Sequence, residues 1–96
     1  MQRKYELTNE FIEMYGVRLF RIKALVDFAE IKAGGLGGYI EKEENLSQDG
    51  KAWVSGEAKV YGRAKVSGEA EVSGRAEVSG EAEVYGRAKV SGEAEV

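Results

Sequence analysis

The sequence predicts an all-β chain, with an N-terminal antiparallel β cap over residues 1–49 and a three-sided, single-stranded parallel β-helix over residues 50–96. Three features lead to that expectation. From Gly50 onward a six-residue phrase repeats to Val96. Its charged residues change sign in a regular order from unit to unit. The first 49 residues carry no such repeat, and their apolar stretches are rich in the β-branched and aromatic residues that favour strands.

In chain order, Tyr5 and Leu7, then Phe11 to Met14, then Val17 to Val26 supply β-type segments, and Tyr15-Gly16 reads as a turn. Two or three antiparallel strands follow from this pattern; a helix over Asn9–Tyr15 is the alternative. The stretch AGGLGGYI, residues 33–40, does not match the dinucleotide fingerprint, because Ile40 stands where the third glycine belongs, and no Gly-Lys-Ser/Thr follows. Its glycines read instead as tight corners of an irregular first coil. Ile40 and Leu46 are six residues apart, as the later valines are, and a two-residue insertion precedes Val54. Glu41, Glu43, Glu44 and Asp49 form the densest acidic patch but lack the EF-hand pattern, so a solvated loop is the expectation. The sequon Asn45-Leu46-Ser47 is read as a chance occurrence.

In the second half Gly recurs at 50, 56, 62, 68, 74, 80, 86 and 92, with Ala two residues after each and Val four after. Ala and Val share parity and therefore one side of a strand, while Ser55, Glu57 and Lys59 take the other. A helix is excluded, because a period of six matches no 3.6-residue pattern and a glycine every six residues would cost about 1 kcal/mol each relative to alanine. Short strands bent at glycines remain.

The charges set the number of sides. The residue after each Gly runs Glu57, Arg63, Glu69, Arg75, Glu81, Arg87, Glu93. Three units per coil place residue n over n+18, giving columns Glu57–Arg75–Glu93, Arg63–Glu81 and Glu69–Arg87, all of alternating sign. Four units would set Glu57 over Glu81 and Arg63 over Arg87, like on like. At the second outward position Lys59–Glu77, Lys65–Glu83 and Glu71–Lys89 agree with three units, and Glu77–Glu95 does not. Each exposed pair contributes only about 0–1 kcal/mol, so the main effect of the columns is on register.

The Val-x-x-x-Ala spacing is similar to the hexapeptide motif of left-handed β-helix proteins, and left-handedness is what that resemblance implies. In the usual motif a small or acidic residue follows the aliphatic one; here Ser or Tyr follows, and then Gly. The best-known members are acyltransferases that use a His between subunits, a residue this chain lacks, so the resemblance carries over no activity. The whole run of 96 residues also resembles a family of small, mostly uncharacterised hexapeptide-repeat proteins of bacteria and phages. The resemblance rests on Lys4-Tyr5-Glu6-Leu7-Thr8, Leu36-Gly37-Gly38-Tyr39-Ile40, Asn45-Leu46-Ser47 and Ala52-Trp53-Val54. It implies a capped β-helix and a phage association.

Composition narrows the function classes. The chain is 43% hydrophobic and 32% charged, with a net charge of −3, so it is too apolar for a disordered chain and too interrupted for a membrane span. Residues 1–49 carry 7 basic and 9 acidic side chains and residues 50–96 carry 7 and 8, so no basic patch draws nucleic acid. The absence of both His and Cys removes the commonest general base, the thiolate nucleophile and the usual transition-metal ligands. No signal peptide is read after Met1, and a cytoplasmic location, in a bacterial cell or a phage-infected host, is expected. The expectation is a non-enzymatic structural or protein-interaction module, without cofactor or metal, that self-associates as a dimer through its C-terminal end by Val84, Val90 and Val96. Trp53, Tyr61 and Tyr85, which have outward parity, are the candidate contacts to a partner such as a host protein. The alternative is a phage accessory factor that inhibits a host defence enzyme or sequesters a small nucleotide.

Overall fold

The computed structural model describes residues 3–28 and 31–96, and the chain is all-β. Strands β1 (Tyr5–Met14) and β2 (Val17–Ala24) form an antiparallel hairpin. Its two-residue turn has Tyr15 at φ 53° and Gly16 at φ 80°, the pair of positive values of a type I′ turn, whose twist matches the flanking strands. The alternative of a helix over Asn9–Tyr15 is corrected here. Phe11 pairs with Phe20 and Ile12 with Leu19, so the tight turn and these cross-strand pairs fix a strand. Strand β3 (Leu36–Ile40) runs antiparallel to β2.

Seven two-residue strands follow: β4 (Trp53–Val54), β5 (Lys59–Val60), β6 (Lys65–Val66), β7 (Glu71–Val72), β8 (Glu77–Val78), β9 (Glu83–Val84) and β10 (Lys89–Val90). They pair in parallel, β5 on β3 and β8 on β5, β7 on β4 and β10 on β7, and β9 on β6, so that one sheet runs β1-β2-β3-β5-β8 with its first two pairings antiparallel. Val54 pairs with Val72, Val60 with Val78, Val66 with Val84 and Val72 with Val90, each partner eighteen residues on. The charges take up the same offset: Arg63 meets Glu81 at 3.3 Å, Arg87 meets Glu69 at 3.6 Å, and Arg75 lies 3.7 Å from Glu57 and 3.8 Å from Glu93.

Each pair of strands is joined by a turn in which a Ser or Tyr carbonyl accepts the N–H of the Ala three residues on, as from Ala58 to Ser55 at 3.2 Å. The glycine between them carries the positive φ, and at Gly68 it answers a second demand. A Cβ there would stand 3.0 Å from the backbone N and O of Gly86 in the next row. Corner therefore stacks on corner with no room for a side chain.

Between the corners the alanines and valines close the interior. Ala52, Ala58, Ala64, Ala70 and Ala76 and Val54, Val60, Val66, Val72 and Val78 are fully buried. That core is continuous with Tyr5, Ile22, Ile40 and Leu46, so it extends across position 49/50. Ile40 pairs with Val60 and Leu46 bridges to Val66, both twenty residues away. The two extra residues ahead of Val54 account for the difference from eighteen.

Gly37 and Gly38 differ from the corner reading. They lie inside β3, and neither has positive φ. A Cβ on Gly37 would come 2.5 Å from the Val54 carbonyl oxygen, and one on Gly38 would come 2.6 Å from that of Ala58. These glycines serve close approach of backbones.

Candidate interaction surface

The two edges of the parallel ladders are in different states. At the N-terminal edge β2 covers β3 by antiparallel pairing, and a polar cluster closes the rest. Gln48 accepts the N–H groups of Lys4 and Tyr5 on its Oε1 and returns Nε2 to the Tyr5 carbonyl. The Lys4 ammonium, 4% exposed, donates to the Ala52 carbonyl at 2.7 Å and to those of Asp49 and Gly50 at 3.4 Å. The Tyr5 hydroxyl donates to the Glu43 and Leu46 carbonyls, and Arg3 pairs with Glu43.

Asn45, on the short 3₁₀ turn Glu43–Asn45, is buried with all its valences used. Its Oδ1 accepts from Glu41 and Lys42, and its Nδ2 donates to the Gly62 and Ala64 carbonyls. The acidic stretch read as a solvated loop is thus partly structural, and Glu41 accepts the Gly62 N–H at 2.8 Å. Composition gave no sign of this edge. Lys4 and Gln48 sit 44 residues apart and meet only through the fold.

Burial pushes the Lys4 ammonium down to about 8, against the opposing pull of Asp49, and pushes the Tyr5 hydroxyl up to about 12. The folded lysine binds its proton less tightly than the unfolded one, whose value is 10.5. Between those two values the unfolded chain holds more protons, so this contribution to stability rises with pH and is complete above the higher one. The tyrosine acts in the opposite sense: above its ordinary value of 10.0 the folded chain holds the extra proton and stability falls. Relative to Lys4→Met, the wild type should therefore gain about 1–3 kcal/mol between pH 7 and pH 10 in denaturant melts. A difference that stays flat with pH would refute the burial of an ionised Lys4.

The other edge is the last row, residues 79–96. The N–H of each odd-numbered residue from 63 to 79 bonds to the carbonyl seventeen residues ahead, Arg63 to Gly80 through Ser79 to Val96. Among the described residues, the corresponding N–H groups from Glu81 to Glu95 lie along the edge of the last row. Of the three valines expected there, Val84 is already buried at 4%, Val90 is half-buried and Val96 is 50% exposed; Ala88 and Ala94 are exposed beside them. An added surface would therefore cover Val90, Val96 and the two alanines rather than Val84.

The outward aromatics divide. Trp53 is buried, with Phe28 edge-on at 5.2 Å and Tyr5 at 6.4 Å, so it presents no surface to a partner. Tyr61 lies against Tyr15 of the hairpin tip, ring centres 6.0 Å apart, and donates to Glu77 at 3.2 Å. Tyr85 stands free on the last row at 67% exposure.

An open groove of about 520 Å³ runs along one side, between Lys42, Arg63 and Lys65 on one hand and Glu44, Glu81 and Glu83 on the other. Its mixed charges provide no field of a single sign for an anionic ligand. Among the described residues no cluster of three or more acidic side chains is placed to hold a metal, and no helix is long and apolar enough to cross a membrane. No family model matches the chain, and no curated protein matches it.

Proposed function

We propose that the chain is a non-enzymatic interaction module. In this reading the parallel ladders are the faces of a three-sided β-helix, left-handed by resemblance to hexapeptide-repeat proteins of bacteria and phages. It acts as a rigid spacer, with one end closed by the hairpin and the other joined to a second copy as a dimer. Cytoplasmic location and phage association belong to the same resemblance. The observation that carries the reading is the asymmetry of the edges. One is sealed by β2, Lys4 and Gln48, while the other shows Ala88, Val90, Ala94 and Val96 beside a row of outward N–H groups. Strand edges with outward N–H groups beside apolar side chains seek partners.

The lack of His and Cys, the dispersed carboxylates and an interior of Ala, Val and Gly support a binding role over catalysis. The apolar side chains this edge offers are short, Ala88, Val90, Ala94 and Val96, and supply no large anchor, so a dimer of about micromolar affinity is expected. Sedimentation velocity tests this. The wild type should show a concentration-dependent dimer, and Val96→Asp, at an already exposed site, should remain monomeric with unchanged circular dichroism. A wild type that stays monomeric at high micromolar concentration would overturn the proposal.

A further inference from the structure

We infer that the second copy docks about a two-fold axis through the Tyr85 corner, with Arg87 and Lys89 of each copy set against Glu83 and Glu81 of the other. This rests on the self-association proposed above and specifies its register.

The last row presents three segments to the open end. Residues 80–84 carry Glu81 and Glu83, residues 86–90 carry Arg87 and Lys89, and residues 92–96 carry Glu93 and Glu95. A two-fold axis lying across the stack maps one segment onto its own copy and exchanges the other two. If the basic segment is the self-facing one, Arg87 and Lys89 meet themselves and the two acidic segments meet each other, so every contact repels. If residues 80–84 face themselves, the axis passes through the Ser91 corner. If residues 92–96 do so, it passes through the Tyr85 corner.

Charge complementarity holds at both corners: Glu81 and Glu83 mirror Lys89 and Arg87 about Tyr85, and Arg87 and Lys89 mirror Glu95 and Glu93 about Ser91. Antiparallel pairing centred on either corner sets all four charged residues opposite the other sign, twice over. Tyr85 decides between them: it is the large apolar side chain most exposed on this row, and on the axis its ring meets its own copy, where the other axis would bring together only two serine side chains. The fold already accepts an antiparallel strand against a parallel row, since β2 pairs in this way with β3 at the other edge. The self-facing Glu93 and Glu95 are the cost of the arrangement and hold the affinity down.

Charge reversal tests the register. Arg87→Glu/Lys89→Glu makes the central pairing wholly acidic, and Glu81→Lys/Glu83→Lys makes it wholly basic. Each variant alone should lose the sedimentation-velocity dimer. Mixed one to one, they should form a heterodimer within about threefold of the wild-type affinity, because every central pair is again opposite in sign, as it is in the wild type. These side chains are exposed on the outer face, so both folds should survive, and the mixture controls for this directly: unfolded partners would not rescue each other. If the wild type dimerises but Glu81→Lys/Glu83→Lys still dimerises alone, the axis lies at Ser91 and this register is wrong. If the wild type dimerises and the mixture does not, the register is also wrong. A monomeric wild type would instead refute the self-association reading itself.

Discussion

Val72→Asp is expected to remove about half or more of the stability of the fold at room temperature. Val72 is the middle of a three-valine column, paired in parallel with Val54 below and Val90 above, and it is fully buried. Its neighbours in the interior are alanine and valine side chains, and the backbone groups of its rows are bonded within the ladders. A carboxylate there would have no donor to meet. Protonating it to avoid the charge still leaves a polar group without partners, so the substitution should cost about 4 kcal/mol or more. A domain of this size holds roughly 5–10 kcal/mol in total. Urea unfolding followed by circular dichroism checks the outcome. A variant that unfolds with the wild-type midpoint would show that the even-numbered residues of the repeat do not face a dry interior.

That expectation follows from the repeat alone, because position 72 shares parity with every Ala and Val from 52 to 96. The second half of the chain was legible for the same reason. The alternation of side chains along a strand is a rigid geometric rule, and the sign order of Glu57, Arg63, Glu69 and Arg75 allows only one offset among those considered. The pairs of β4 with β7 and β5 with β8 stand at that offset. Even the step to twenty residues at Ile40 and Leu46 could be counted from the two-residue insertion.

The first half was less legible because its restraints are contacts between residues far apart in sequence. The Gln48 amide closes on Lys4 and Tyr5, and Trp53 is buried by Phe28, which no local pattern announces. Asn45 looked like part of a sequon, yet its amide holds four backbone groups at the point where a 3₁₀ turn replaces a strand. Tyr61 and Tyr85 occupy equivalent positions in the repeat and look alike in sequence. Only the hairpin, which brings Tyr15 over Tyr61, separates them.

Gly37→Ala should be nearly as damaging as Val72→Asp, for a reason that composition hides. The usual cost of replacing a glycine is backbone strain, but Gly37 lies in extended β3 without positive φ, so an alanine could adopt its dihedrals. The obstacle is space. The new methyl would be 2.5 Å from the Val54 carbonyl oxygen, 2.6 Å from Ile22 Cγ1 and 2.7 Å from Trp53 Cζ2. Ile22 and Trp53 are themselves buried, so neither can swing away, and the carbonyl belongs to the backbone of β4. Relief requires β3 to move off the rows beneath it, which would strain the pairing of Tyr39 and Ile40 with Lys59 and Val60. Overpacking of this kind costs about 1–3 kcal/mol where neighbours can shift, and more where the obstacle is backbone.

Gly16→Ala is the internal comparison. That position has φ 80° but nothing within 4 Å of a new methyl, so the substitution should cost only the strain of a left-handed residue, about 1 kcal/mol. Thermal melts of the two variants should therefore place Gly37→Ala well below Gly16→Ala. The reverse order would mean that β3 does not lie against Trp53 and Val54, and that the closed edge is built in some other way.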